Sequence, residues 1–115
     1  DAIVVSNHGG RVMDHMPGTA EVLPEIANAV GGRIKVLADG GIREGIDILK
    51  MLALGADAVM IGRPICIAAF GAGQEGVSSY LQEKLNELKK AMILTGCGSI
   101  DNIDPSIIFR KKGDR

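Results

Sequence analysis

The chain has 115 residues, a net charge of −1 and 46% hydrophobic residues, which suits one modest core. The charges are mixed in sign and aromatic content is only 3%, so we expect no nucleic-acid partner. No apolar run approaches the ~20 residues of a membrane span and no signal peptide is visible, so we expect a cytoplasmic protein without membrane contact. Cys66 and Cys97 lie far apart without metal-ligand spacing. We therefore predict two buried, reduced thiols and no metal site.

The first predicted unit is a strand followed by a helix. Residues 2–6 form a short apolar, β-branched run, which is typical of a buried strand. Apolar residues at helical spacing predict a helix over 20–30. Thr19 is the expected N-cap of this helix, and the Gly31-Gly32 pair is expected to end it.

Two further strands alternate with helices along the chain. The second strand is predicted over 34–38, followed by a helix that begins near Arg43 or Glu44. The third strand is predicted over 58–61 and leads into a short helix over 64–70. Near-continuous apolar strands joined by helices predict an α/β fold with a parallel sheet covered by helices.

A long amphipathic helix is predicted over 74–95, after a break at Ala72-Gly73. The tail over 96–115 follows, and we expect its charged end from Arg110 to Arg115 to be frayed. The apolar stripe predicted to pack inward consists of Val77, Leu81, Leu85, Leu88 and Met92. The charged residues predicted to face water are Glu83, Lys84, Glu87, Lys89 and Lys90.

The loop after the first strand carries a base and an anion-binding group. His8 and Arg11 are separated by two glycines, which permit close backbone approach to a ligand. Imidazole titrates near neutral pH and suits a general base, while a guanidinium binds a carboxylate through two hydrogen bonds. The pair predicts a site in which Arg11 anchors a small carboxylic acid and His8 takes a proton. The alternative is a structural loop histidine beside a surface arginine, and Asp14 and His15 are weaker candidates.

The next two strand ends combine glycine, arginine and the start of a helix. They are Asp39-Gly40-Gly41-Ile42-Arg43 and Gly62-Arg63. Backbone N–H groups at a glycine turn that enters a helix favour anion binding. Polar groups at the carboxyl ends of successive parallel strands are typical of a (β/α)-barrel active site, where the last two strands frequently build a phosphate site. The alternative is a pair of ordinary tight turns with solvated arginines.

Five segments together carry a family resemblance that covers essentially the whole chain. The most specific is Ser6-Asn7-His8-Gly9-Gly10-Arg11. The others are Leu-Pro-Glu-Ile at 23–26, the run from Asp39 to Asp47, Leu-Ala-Leu-Gly-Ala-Asp-Ala at 52–58, and Ile-Gly-Arg-Pro at 61–64. In these segments the chain resembles the FMN-dependent α-hydroxy acid dehydrogenase/oxidase family, the group of glycolate oxidase and the flavin lactate oxidases.

The resemblance implies both a fold and a reaction. The fold is the C-terminal part, strands six to eight with their helices, of a (β/α)₈ TIM barrel, with three βα units over 1–70. The implied reaction of the parent enzyme is FMN-dependent oxidation of a small L-2-hydroxy acid to the 2-oxo acid. By resemblance, His8 takes the place of the catalytic base and Arg11 that of the substrate-carboxylate ligand. The positions that match the family's FMN ribityl and phosphate ligands are Asp39, Gly40, Gly41, Arg43, Gly62 and Arg63.

The chain also departs from the family pattern. The family uses an aspartate that orients the base, a lysine near the flavin and substrate-binding tyrosines, all from earlier strands, so we expect the isolated chain to be catalytically incomplete. Val12-Met13 stands where many members have Gln-Leu. Alternatives are an inactive FMN- or phosphate-binding barrel fragment, and a nucleotide-phosphate-binding barrel of the inosinate dehydrogenase type. The latter needs a cysteine nucleophile in an earlier loop. Open barrel edges predict a homo-oligomer or association through those edges.

Overall fold

The computed structural model describes residues 1–109, so the predicted charged tail from Arg110 to Arg115 lies outside the described residues. In that part of the chain no helix is both long and apolar enough to cross a membrane. Strands alternate with helices, and two single-turn 3₁₀ segments accompany them. The elements are β1 (Ala2–Val5), a 3₁₀ turn (His8–Gly10), α1 (Thr19–Val30), β2 (Lys35–Ala38), α2 (Gly45–Ala53), β3 (Ala58–Val59), α3 (Arg63–Thr95) and a second 3₁₀ turn (Pro105–Ile107).

The three strands form one parallel sheet in the order β1-β2-β3, which confirms the predicted α/β class. Val5 pairs with Ala38, and Ala38 pairs with Val59, so the carboxyl ends of the strands are level. The ladder extends one residue further on each side through backbone bonds from Asp39 to Val5 (3.2 Å) and from Met60 to Ala38 (2.9 Å). β3 is shorter than the predicted span of 58–61. The level ends place the three following loops at one edge of the sheet.

The core lies where α1, α2 and α3 meet the sheet. Leu23 of α1 and Leu49 of α2 are fully buried, and Val36 of β2 joins the same apolar cluster. Leu88 of α3 also belongs to it, through the packing of α3 on α2. Burial of such side chains contributes about 1.5–3 kcal/mol each, and it fixes the helices that frame the strand ends.

Two helix starts differ from the predictions. Gly18, not Thr19, is the N-cap of α1, and its N–H donates to Glu21 Oε2 at 3.3 Å. Thr19 is instead the first helical residue and is buried. α2 begins at Gly45 because Glu44 keeps an extended backbone (φ −125°, ψ 159°). The predicted end of α1 is confirmed, since Gly31 adopts the left-handed conformation of a helix C-cap.

The predicted break inside α3 is confirmed. Ala72 (φ −149°) and Gly73 (φ 58°) leave the helical region and separate a short first part from a long second part. Pro64 lies in the first turn of α3, where its missing N–H costs least.

The buried face of α3 is not the predicted stripe. Leu81 and Leu85 are 43% and 56% exposed, whereas Lys84, predicted to face water, is only 6% exposed. Lys84 is buried because Glu83 and Glu87 compensate its charge, with Nζ–Oε1 distances of 2.9 and 2.7 Å. Leu88 follows Lys84 on the buried face, as predicted.

The prediction of two buried thiols is wrong, because neither cysteine is fully buried. Cys66 is exposed and Cys97 is half-buried. Cys66 lies on the first turn of α3, where the helix borders open space at the strand ends rather than the core.

Candidate functional site

The loops after the three strands border a single cleft of about 270 Å³. It brings together the eight principal residues that the sequence predicted for the site, although those residues come from three separate segments. Asp14 and His15 do not line it. The predicted residues that line the cleft are His8, Arg11, Asp39, Gly40, Gly41, Arg43, Gly62 and Arg63.

His8 is held in an uncommon backbone conformation. Its φ of 53° lies in the left-handed region, which non-glycine residues rarely adopt. The hydroxyl of Ser6 accepts a hydrogen bond from the His8 N–H at 3.0 Å, and Asn7 Oδ1 accepts from the Gly9 N–H at 3.1 Å. Asn7 Nδ2 also donates to the carbonyl of Pro17 at 3.4 Å. The turn is therefore fixed by side chains on its own strand end, and it presents His8 at the rim of the cleft.

One carboxylate oxygen of Asp39 receives no hydrogen bond in the described residues. Its Oδ1 is buried and has no hydrogen-bond partner within residues 1–109. Gly40 and Gly41 follow with φ of 99° and 76°, a region that favours glycine. A Cβ on Gly40 would lie 3.0 Å from Thr19 Oγ1, so the turn passes close to the start of α1. A buried acceptor without a partner is costly, and a ligand hydroxyl in the cleft would satisfy it.

The backbone N–H groups after Asp39 divide into two sets. Arg43 and Glu44 donate to Asp47 Oδ2 at 3.1 Å each, and Gly45 donates to Glu87 Oε2 at 2.7 Å. The start of α2 is therefore already occupied by the protein's own carboxylates, contrary to the expectation that it serves an anion. The N–H groups of residues 40–42 have no acceptor in the described part of the chain. They are the donors that remain for a ligand.

The arginines of the cleft carry uncompensated charge. Within residues 1–109 no carboxylate lies within 4.0 Å of Arg11, Arg43 or Arg63. Arg43 Nη1 donates to the carbonyl of Ile42 at 3.0 Å. The guanidinium of Arg63 reaches back over the first loop, because a Cβ on Gly9 would lie 3.1 Å from Arg63 Nη2. Three guanidinium groups around one cleft form an electropositive site for anions.

Sequence reasoning missed the apolar part of the cleft. Ile42, Met60, Ile61 and Cys66 also line it. Met60 and Ile61 were assigned to the third strand, but β3 ends at Val59 and its last ladder bond comes from the Met60 N–H, so both residues belong to the strand end. The sequence did contain a signal for this role, because Met60 and Ile61 are the last two residues of the predicted strand. Apolar walls beside a few polar groups are typical of cofactor sites.

Comparison with known sequences identifies the family. Residues 1–110 match the sequence profile described as FMN-dependent dehydrogenase. The chain belongs to this family of oxidoreductases, whose cofactor is FMN. The resemblance found in the sequence is therefore confirmed.

Curated relatives agree with the family and are much longer than this chain. An L-lactate dehydrogenase of Caulobacter sp. (strain K31) is 51% identical over 110 residues, which cover 96% of this chain and 29% of the relative. The peroxisomal (S)-2-hydroxyacid oxidase GLO3 of Arabidopsis thaliana is 50% identical over 103 residues, covering 90% and 28%. The 2-hydroxyacid oxidase 1 of Mus musculus is 47% identical over 108 residues, covering 94% and 29%. The chain thus spans under a third of the length of these relatives.

Solved structures show the same arrangement of backbone. A mandelate oxidase variant with a monooxide FMN adduct superposes with a TM-score of 0.86 at 49% identity, covering 90% of this chain and 33% of the other. A mandelate oxidase with benzoyl-formic acid gives 0.84 at 49% identity, covering 89% and 30%. The sheet and its helices therefore share the backbone arrangement of about a third of each mandelate oxidase chain.

The residues present fit the anionic and polyhydroxyl parts of FMN. The phosphate would meet Arg43, Arg63 and the free N–H groups of residues 40–42. The unpartnered Oδ1 of Asp39 would accept from a hydroxyl of the ribityl chain. The donor set and the orphan acceptor thus match a phosphorylated sugar alcohol better than either a metal or an apolar ligand.

Proposed function

We propose that this chain forms strands six to eight, with their helices, of a (β/α)₈ barrel enzyme that oxidises a small L-2-hydroxy acid with FMN. The observation that carries the proposal is the convergence of one histidine, three uncompensated arginines and an orphan aspartate acceptor at three level strand ends. Catalytic groups of such barrels lie at the carboxyl ends of the strands.

The open parts of the molecule support a barrel completed by other strands. In the described residues β1 and β3 each pair only with β2, so both sheet edges are free. Val4 and Met60 are 51% and 43% exposed at these edges. A cleft of about 270 Å³ is also below the roughly 300–1,000 Å³ of most ligand pockets. Strands that close the barrel would cover the edges and deepen the cleft, either within one longer chain or by association.

His8 and Arg11 would handle the substrate. Arg11 would bind the carboxylate of the 2-hydroxy acid through two hydrogen bonds and so fix the position of C2. Oxidation of the C2 alcohol to a ketone removes two electrons and two protons, and His8 would accept one of the protons. Bound FMN supplies the two-electron acceptor.

Asp39, Arg43 and Arg63 would hold the cofactor in the same cleft. The guanidinium groups and the N–H groups of residues 40–42 would compensate the phosphate charge, and Asp39 would orient the ribityl chain. Met60 and Ile61 would exclude water beside it. The inosinate dehydrogenase type is not favoured by the family match. Three expectations from the sequence stay predictions: that the chain alone is an inactive fragment, that the protein is cytoplasmic, and that it forms homo-oligomers.

The test is a hybrid enzyme. This chain would replace the matching segment of the Caulobacter L-lactate dehydrogenase, with which it shares 51% identity. We expect the hybrid to bind FMN and to oxidise L-lactate with an artificial electron acceptor. His8→Ala should keep its flavin and lose about 10²–10⁴-fold in kcat, the usual contribution of a general base.

The controls separate the two halves of the site. Arg43→Gln together with Arg63→Gln should weaken FMN binding, whereas His15→Ala, outside the cleft, should change neither flavin content nor turnover. A folded hybrid that binds no FMN, or a His8→Ala hybrid with unchanged turnover, would contradict the proposal.

A further inference from the structure

A set of contacts outside the cleft connects α3 to the loop that carries Arg43. Glu87 Oε2 accepts the N–H of Gly45 at 2.7 Å, across 42 positions of sequence. Glu87 Oε1 accepts from Lys84 Nζ at 2.7 Å. Arg43 lies two residues before Gly45, so the site and this contact share one short segment.

The contact is close and leaves no room for adjustment. A Cβ on Gly45 would overlap the backbone nitrogen of Leu88 and the backbone of Glu87. The first turn of α2 therefore packs directly against the backbone of α3, which fixes the position of that turn. Asp47 holds the two preceding N–H groups, of Arg43 and Glu44.

Lys84 connects this contact to a second cavity beside the arginines. Its ammonium lies 5.2 Å from the ring centre of Tyr80, within the range of a cation–π interaction. Tyr80 lines a cavity of about 370 Å³ together with Arg43 and Arg63. Contacts thus run from Tyr80 through Lys84 and Glu87 to Gly45, which lies two residues after Arg43.

Two features make Glu87 more than a surface ion pair. Its partner Lys84 is only 8% exposed at the side chain, so the charge it compensates is removed from water. Its other oxygen occupies the N-terminus of α2, which would otherwise attract an anion. A ligand phosphate is thereby directed to residues 40–42 and to the arginines rather than to the helix start.

We propose that Glu87, supported by Lys84, is a positioning residue that fixes Arg43 for recognition of the phosphate of the flavin nucleotide. The inference rests on the proposed function and adds a residue that lies outside the cleft. It makes a specific claim: Glu87 determines the preference for FMN over riboflavin, which lacks the phosphate, and does not determine affinity for the ring system.

The test compares dissociation constants of FMN and riboflavin, measured by flavin fluorescence on the full chain and on the hybrid enzyme. In Glu87→Gln one amide oxygen replaces the two carboxylate oxygens, so the side chain can no longer accept from both Gly45 and Lys84. We expect affinity for FMN to fall about tenfold, by analogy with the loss of an outer-shell partner of a metal ligand, with riboflavin affinity unchanged. Glu83→Gln is the matched control, because Glu83 binds the same Lys84 but does not contact Gly45.

The outcomes distinguish this inference from the proposed function. If neither wild-type protein prefers FMN to riboflavin, the proposed function fails and the role of Glu87 fails with it. If the wild type prefers FMN and folded Glu87→Gln keeps the same preference, the role of Glu87 is overturned while the proposed function stands. An equal loss for both flavins would indicate a general structural role for Glu87 and would also overturn the inference.

A second variant covers the case in which Glu87→Gln does not fold. Lys84→Met keeps the Glu87–Gly45 bond and should lower the FMN preference in the same direction. An unchanged preference would overturn the inference.

Discussion

The cleft at the strand ends and the contact between α2 and α3 are close in sequence, because Arg43 lines the cleft and Gly45 forms the contact. The two regions differ in whether their positive charges have carboxylate partners. In the cleft, Arg43 and Arg63 have no carboxylate partner within residues 1–109. At the helix contact, Lys84 has two, and one of them also receives a backbone N–H. Charge that a packed contact buries is compensated internally, whereas uncompensated charge at an open cleft favours the binding of an anion.

Backbone geometry differs between the two regions in the same way. The cleft turns contain Gly40 and Gly41 at positive φ, with open space around Gly41. Gly45 at the helix contact has an ordinary helical backbone, but no space for a side chain. Glycine therefore shapes a ligand-facing turn in one region and permits helix packing in the other.

The largest expected effect comes from filling the helix contact. Gly45→Ala would push a methyl group into the backbone of Leu88, and we expect a loss of about 3 kcal/mol in the free energy of unfolding. Denaturant unfolding would measure it. Gly71→Ala is the matched control, since Gly71 also lies in a helix but has no atom within 4 Å of the added Cβ. It should be neutral or stabilising by up to about 1 kcal/mol, and equal losses in the two variants would show that α2 does not pack on α3 as described.

A smaller loss of folding stability is expected when the pH is lowered. Hydrogen bonds from Lys84 and then from the Gly45 N–H lower the pKa of Glu87 below its usual 4.5. A hydrogen bond from Lys35 and then one from the Val36 N–H lower the pKa of Asp57 below 3.8. Because both folded-state pKa values are depressed, the stabilisation is present above these usual values and is lost as pH falls through the folded-state values.

Denaturant midpoints between pH 7 and pH 2 would measure this loss. Glu87→Gln removes one of the contributing carboxylates, so its stability should fall less steeply over the acid range than that of the wild type. The cleft offers the contrast, because Arg11→Gln removes no carboxylate and should leave the slope unchanged. A Glu87→Gln protein with the full acid slope would mean that its pair with Lys84 does not form.

The site was more predictable than the packing around it, and the reason is physical. The carboxyl ends of parallel strands meet at one edge of a sheet, so His8, Asp39 and Gly62 could be placed together from the strand pattern alone. Lys84 could not be assigned to the buried face, because it is chemically indistinguishable in sequence from Lys89 and Lys90. Its burial depends on a partner carboxylate that also contacts Gly45.

The same limit applies at helix starts. Local sequence favours Thr19 as an N-cap, but Thr19 is the first helical residue, and its hydroxyl is buried beside the Gly40 turn without a hydrogen-bond partner in residues 1–109. The carboxylates that occupy the first N–H groups of α2 come partly from another helix. Pattern reasoning saw a free helix start, because it has no information about a glutamate that is distant in sequence.

The smallest effect on stability is expected in the cleft, and it would complete the comparison. Arg43→Gln removes no ion pair within residues 1–109, so the free energy of unfolding should change by no more than about 0.5 kcal/mol. Inorganic phosphate should raise the melting temperature of the wild type, because a ligand that binds only the folded state stabilises it, and should raise that of Arg43→Gln less. Lys50→Gln, on the exposed side of α2, controls for a general loss of positive charge. If phosphate stabilised Arg43→Gln and the wild type equally, the arginines of the cleft would not form a phosphate site. The cleft and the helix contact would then differ only in how tightly they are packed.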